Sequence, residues 1–436
     1  MDNQQNTKQF NKLPGNVLMI VLSIAMFAGF HLVPEQPIIP FPFVIALIIQ
    51  ALCSILVLPF FRLHINTQAL VIISLWMLFM GWAFLTSTWG KDHETSIASS
   101  IVTLVPSALT ILLVMSDQTP KETFWTVAKG IAIVSTGLVI LGIALLIWGQ
   151  NTLYGIGFMQ TMHVGPITVS QIIMGVPPFV RISSLTTNPN GLAALLMISL
   201  ILVLALRFAK KISIPIFIIY VISHIAGLIL TSSRTCTGLA ITGITIMIFV
   251  TTKGKVSKIL RYASMAFLIS ILLIVFLWLQ GQHLPTNRFS IELAGRNILW
   301  SICWNSFLER PFTGVGFGLV EKCVIIPVGY NLTVHNVYLL LLTDVGLLGC
   351  VLASSFLLYG LLLSLLHAHI HYMSQDEAYI LYLCITVILL LYIIHGSFEN
   401  VLFRSGFHMV FCSYLIGLSA NKFVHKTITS ANATND

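Results

Sequence analysis

Apolar and polar positions along the chain segregate into long blocks. Windows of roughly 20 mostly apolar residues, the length that crosses the hydrocarbon of a bilayer, occur at 16–33, 38–60, 69–88, 97–116, 125–148, 189–207, 213–231, 236–252, 262–280, 335–366, 378–396 and 402–420. Each predicts a transmembrane helix, because in lipid a spanning backbone must satisfy its polar groups internally. The expected fold class is all-α, a polytopic integral membrane protein with about twelve spans. The window at 335–366 is long enough to tilt or to project from the bilayer. Polar residues gather in two intervals, 149–188 and 281–335, and the second is a large loop expected to carry short helices.

Composition agrees: 57% hydrophobic residues and 8% charged, with a mean hydropathy of +0.95, exclude a soluble multidomain protein. The net charge of +8 does not point to nucleic acid, since the basic residues are scattered through short connections with no aromatic-laced patch. It reports topology instead. With the N-terminus inside and sides alternating, Lys8, Lys12, Arg62, Lys121, Lys129, Arg207, Lys210, Lys211, Lys253, Lys255, Lys258, Arg261, Lys422 and Lys426 fall on the cytoplasmic side. That excess orients the chain with both termini cytoplasmic and the large loop external. The remaining basic residues are Lys91, Lys322, Arg181, Arg234, Arg288, Arg296, Arg310 and Arg404. Orientation needs only charge, so the preference for arginine outside calls for another reason. A guanidinium offers a planar fork that pairs bidentately with phosphate and stays charged beside lipid.

Three external stretches hold candidate chemistry. Arg181 precedes Asn188-Pro189-Asn190 at the start of the sixth window, where Asn188 can cap and Pro189 fits the first turn. Arg234 lies in the tight turn 231–235, held close to span ends. In the large loop, Gly295-Arg296 is expected at the N-terminus of an amphipathic helix with apolar positions at Leu299, Ile302, Cys303 and Phe307 and a face suited to the membrane surface. There the helix dipole and the guanidinium would attract an anion together. The glycine-rich run 313–318 lacks the ending of a P-loop and reads as a flexible turn. His335-Asn336 enters the tenth window above Gly346 and Gly349, two small residues expected on one helix face, with the intramembrane acid Asp344 beside them. Cys303 and Cys323 share the external loop, where a disulfide is conceivable but not implied by their spacing. His367, His369 and His371 alternate in a cytoplasmic connection expected to be a solvated turn.

The pattern His335-Asn336, nine residues, then Gly346-x-x-Gly349 resembles the signature of the O-antigen ligase superfamily, which includes certain O-antigen polymerases. The block 295–300 with Pro311 and Gly314-Val315-Gly316 is similar to that family's loop, as are Asn188-Pro189-Asn190 and Ser232-Ser233-Arg234 at span ends, so the resemblance covers 181–350. Where the family's loop reads Arg-x3-Leu, Arg296 has Leu299 at the third place and Trp300 at the fourth; Arg296 is preferred over Arg288 as the loop arginine.

The resemblance implies a glycosyltransferase that uses no metal and no nucleotide cofactor. It would move a glycan from an undecaprenyl-diphosphate carrier to a sugar hydroxyl of lipid A-core, on the periplasmic face of a bacterial inner membrane. His335 would serve as general base, with Arg296 and Arg234 on the diphosphate. Arg181, Arg288, Asn190 and Asn336 would contact substrate, and Gly346, Gly349 and Asp344 would build the site. Residues 1–187 then form an N-terminal region of five spans and the first external loop, and 188–436 a catalytic region containing loop 281–335. A polymerase would share the donor and differ in the acceptor. A transporter or lipid flippase would place ionisable residues near mid-membrane, whereas here polar residues collect at one face.

Overall fold

The computed structural model describes residues 63, 65–154, 157–165, 167–174, 180–186, 188–251, 288–328, 333–372, 377–404 and 406–425. The spans expected at 16–33, 38–60 and 262–280 lie outside these residues. The helices are α1 (Thr67–Thr86), α2 (His93–Ser116), α3 (Pro120–Trp148), α4 (Pro189–Phe208), α5 (Ile214–Thr231), α6 (Arg234–Thr251), α7 (Arg288–Glu309), α8 (Val337–His371), α9 (Glu377–Gly396), α10 (Gly406–Ala420) and the short α11 (Lys422–His425). Among the described residues, eight are long and apolar enough to cross a membrane: α1 to α6, α8 and α9. With 15 residues, α10 is shorter, and it coincides with the last expected window.

Helices α4 and α9 form the interior of the bundle. Each is apolar all round, and 83% of its spanning window is buried, which a helix needs when protein rather than lipid surrounds it. Helix α5 is the contrary case, with Ile214, Ile218, Ile222, Ile225 and Ile229 exposed along its length.

The all-α expectation needs one correction. The interval 150–174 is a three-stranded antiparallel sheet, β1 (Gln150–Tyr154), β2 (Gly157–Val164) and β3 (Ile167–Met174), in the order β1-β2-β3. Gly165, at φ +60°, turns the second hairpin, and β-branched residues flank it. The sheet is fastened to α3 through a buried amide pair: Gln171 Nε2 donates to Gln160 Oε1 at 2.9 Å and to the Gly142 carbonyl at 3.0 Å.

Helix α8 is broken. Gly346 has φ +69° and ψ −174° inside it, a conformation that side chains exclude, and a Cβ there would fall on the Phe312 carbonyl. Gly346 therefore does not share a helix face with Gly349 as expected. It opens the helix so that the glycine-rich run can pair with it. Val315 N–H donates to Thr343 O at 2.9 Å, Gly316 N–H to Asp344 O at 2.8 Å, and Leu347 N–H to Pro311 O at 2.7 Å. The Asp344 carboxylate accepts from the N–H groups of Gly318, Leu319 and Val320 at 2.9–3.1 Å, with Arg404 at 3.7 Å. The run is thus a fixed cradle for an internal anion, where a flexible turn was expected. Gly349 meets Val345 and Trp82, and Trp82 Nε1 donates to the Val345 carbonyl that the break leaves open, at 2.8 Å.

Two smaller expectations also change. Cys303 and Cys323 are both free; Cys303 is buried with Leu299, Val320 and Ile325, and burial pushes its thiol up to about 12. His367 and His371 are not in a solvated turn, because α8 continues to His371 and both rings pack on Tyr382, with centroids 5.0 and 5.6 Å away.

Candidate active site

The three candidate stretches come together at one end of the bundle around Glu399, in the connection between α9 and α10. Its Oε2 accepts from His335 Nδ1 at 2.7 Å. Its Oε1 accepts from Asn190 Nδ2 at 2.7 Å and from an Arg296 terminal nitrogen at 3.2 Å. The other terminal nitrogen of Arg296 donates to the Phe398 carbonyl at 3.2 Å. From Asn190 the network continues outward: Arg181 donates to Asn190 Oδ1 at 2.6 Å, and its Nε donates to the Thr231 carbonyl at 2.8 Å.

Local structure explains why each side chain is presented there. Arg181 is fixed by two backbone hydrogen bonds with Met174 at the end of β3, at 2.8 and 3.2 Å, so the sheet positions an arginine. Asn190 sits in the first turn of α4, where Asn188 caps its N–H at 2.8 Å. Arg234 opens α6 directly after Ser232, whose left-handed backbone (φ +51°) caps α5, and its side chain is exposed. It therefore leaves the same tight turn that receives Arg181 at Thr231.

His335 also has a left-handed backbone, φ +52°, a conformation costing about 1–3 kcal/mol in a bulky residue and found where surrounding contacts impose it. Those contacts are visible. Thr333 Oγ1 lies 3.0 Å from His335 Nε2, the preceding Val334 carbonyl accepts from Trp300 Nε1 at 2.8 Å, and the following Asn336 caps α8 by accepting from Leu339 N–H at 3.0 Å. Asn336 also donates to Ser397 O at 3.2 Å, so both ends of its amide are engaged.

Arg296 departs from expectation in its setting. Helix α7 begins at Arg288 and runs through Gly295 without a break, so Arg296 lies in its third turn and the N-terminal dipole does not act on it. The face bearing Leu299, Cys303 and Phe307 packs inward, while Trp304 and Leu308 are exposed. Arg288 starts the helix, and its side chain lies outside the described residues. Asp344, Gly346 and Gly349 stand apart from Glu399, in the cradle at the α8 break.

Burial opposes the charge on Glu399, but the hydrogen bond from His335 and the nearby Arg296 guanidinium outweigh it and hold the carboxyl below its ordinary range. The cluster is therefore a nearly buried carboxylate, 6% exposed, facing two more open partners, His335 at 20% and Arg296 at 24%. Chemically it joins an oriented imidazole to guanidinium groups. Among the described residues, no group of three or more His, Cys, Asp or Glu side chains is arranged to hold a metal ion.

Sequence reasoning missed Glu399. A carboxylate in the short polar step 397–401 between two apolar windows was the available signal, since an acid at a span end requires a cationic partner. No curated protein matches the chain. Residues 219–354 match the family model described as O-antigen ligase, a segment that holds Arg234, Arg296, His335 and the α8 break and excludes Arg181, Asn190 and Glu399. This is a multi-pass membrane protein in which residues 219–354 are similar to the O-antigen ligase family.

Proposed function

We propose that the protein transfers a glycan from an undecaprenyl-diphosphate carrier to a sugar hydroxyl of lipid A-core, at the periplasmic face of a bacterial inner membrane. The observation that carries this reading is the Glu399 carboxylate, which binds His335 through one oxygen and Arg296 with Asn190 through the other. A carboxylate accepting from Nδ1 fixes the tautomer and leaves Nε2 as the proton acceptor, a place the Thr333 hydroxyl holds at 3.0 Å until the acceptor hydroxyl takes it. The acceptor hydroxyl gives its proton to Nε2 while its oxygen attacks the anomeric carbon. The bond from that carbon to the diphosphate oxygen breaks, and its electron pair leaves with the diphosphate.

Charge developing on the departing diphosphate is received by Arg296 and Arg234, with Arg181 and Arg288 assisting; fixed guanidinium groups suit that task. Glu399 stabilises the imidazolium as it forms, as an orienting carboxylate does in other base dyads. A single base with no nucleophile gives inversion at the anomeric carbon. Residues 188–436 form the catalytic region, joined by Arg181 from the preceding segment, with Asn190 and Asn336 lining it and Asp344, Gly346 and Gly349 supporting it.

The test is a gene deletion complemented with His335→Ala, followed by gel analysis of lipopolysaccharide. Unmodified lipid A-core from the variant supports the ligase reading, core bearing a single repeat indicates a polymerase using the same donor, and a normal ladder removes His335 from the mechanism.

A further inference from the structure

Three partners share Glu399, and they differ in how firmly they hold it. His335 and Asn190 each bond it at 2.7 Å, whereas Arg296 stands at 3.2 Å and has the more open side chain. The carboxylate cannot follow Arg296 outward, because Asn190 holds Oε1 and His335 holds Oε2. A diphosphate brings more negative charge than one carboxylate and matches the guanidinium fork.

We propose that Arg296 and Glu399 form an interlock that couples donor binding to base strength: a diphosphate draws Arg296 away from Glu399, and the carboxylate then acts undivided on His335. This rests on the reading of His335 as the base and Arg296 as a diphosphate ligand, and adds the order in which they act. With the site empty, Arg296 neutralises part of the Glu399 charge and His335 is a restrained base. With donor bound, Asn190 keeps the carboxylate in place, the His335–Glu399 hydrogen bond strengthens, and the hydroxyl is deprotonated only when a leaving group is seated. His395, one turn before Glu399, and Cys236, to which it is bonded, are the other titratable groups that interact with the carboxylate; they hold each other. Asn190 is accordingly a positioning residue that keeps Glu399 in register when Arg296 departs.

The experiment uses the full-length protein in lipid nanodiscs, labelled with 15N-histidine, and inorganic pyrophosphate as the probe. The Nδ1–H proton of His335 is assigned by its loss in His335→Gln and followed by NMR, while pyrophosphate binding is measured separately by 31P NMR. The interlock requires that resonance to move downfield as pyrophosphate saturates the protein, and to stand already downfield in ligand-free Arg296→Gln. Bound pyrophosphate with an unmoved resonance overturns the interlock and leaves the proposed function intact. Failure of pyrophosphate to bind overturns the diphosphate reading and the interlock with it. The wild-type titration stands alone should the arginine variant not fold.

Discussion

At the scale of single residues, the site depends on a carboxylate that is buried yet charged. Replacing it by Glu399→Gln keeps the size but removes the charge that stabilises the imidazolium and leaves one acceptor oxygen for His335, Asn190 and Arg296, so glycan transfer should fall about 10²-fold or more, the range of a lost orienting or basic group, measured as ligated lipopolysaccharide at equal protein level. Arg296→Lys keeps charge and loses the fork; transfer should drop while His335 remains bonded to Glu399, and undiminished transfer would show that a point charge suffices. Acid provides an independent check. Because the folded protein holds Glu399 below its ordinary 4.5, the unfolded chain takes up that proton first as pH falls. Its contribution to stability is full above about 4.5 and is lost as pH drops through the lowered value. The thermal midpoint of the wild type should therefore decline more steeply in that window than that of Glu399→Gln.

At the scale of elements, the α8 break shows what periodicity can and cannot reveal. Gly346 and Gly349 read as a small-residue face because their spacing fits a continuous helix; the positive φ at Gly346 appears only once the glycine-rich run docks. We expect Gly346→Ala to lower stability by about 1–3 kcal/mol from backbone strain alone, and by more from its collision with the Phe312 carbonyl, seen as a lower thermal midpoint in detergent. Asp344→Ala should cost about 1–3 kcal/mol for each N–H donor it strands, at Gly318, Leu319 and Val320, while Arg404 keeps Glu321 at 3.3 Å.

The described spans were legible because 20-residue apolar windows have few alternatives in lipid. The sheet was not, because its strands are short and its buried Gln160 and Gln171 read as loop polarity until they pair. The start of α7 was misplaced for a related reason: Gly295 looks like a helix boundary, and only docking of the Leu299 face carries the helix through it. His335 and Arg296 could be picked out by motif, whereas Glu399 lies sixty-four residues from His335 in sequence and outside every recognisable pattern.

At the scale of the whole molecule, polar function is gathered at one end. Asp92 receives hydrogen bonds from Lys322 and Thr95, which hold its carboxyl down at about 2, and Trp89 Nε1 donates to Thr313 O at 3.1 Å, so the α1–α2 turn is tied to the large loop. Lys211 pairs with Glu377 between α4 and α9, at ends opposite those that meet Glu399. Cysteines introduced as Lys322→Cys and Lys211→Cys should therefore react with a membrane-impermeant maleimide from opposite sides, the former in intact spheroplasts and the latter only after lysis. Reaction of both from one side would overturn the orientation.

The interruption at Gly346 divides α8 into unequal rods. The portion after it, 347–371, is about 37 Å long at 1.5 Å per residue, enough by itself to cross roughly 30 Å of hydrocarbon. The short portion before it, 337–345, directly follows His335 and is bolted to the loop. The long rod thus meets the thickness of the hydrocarbon unaided, and the stretch that presents the imidazole takes its position from the docked loop and not from the depth of the lipid.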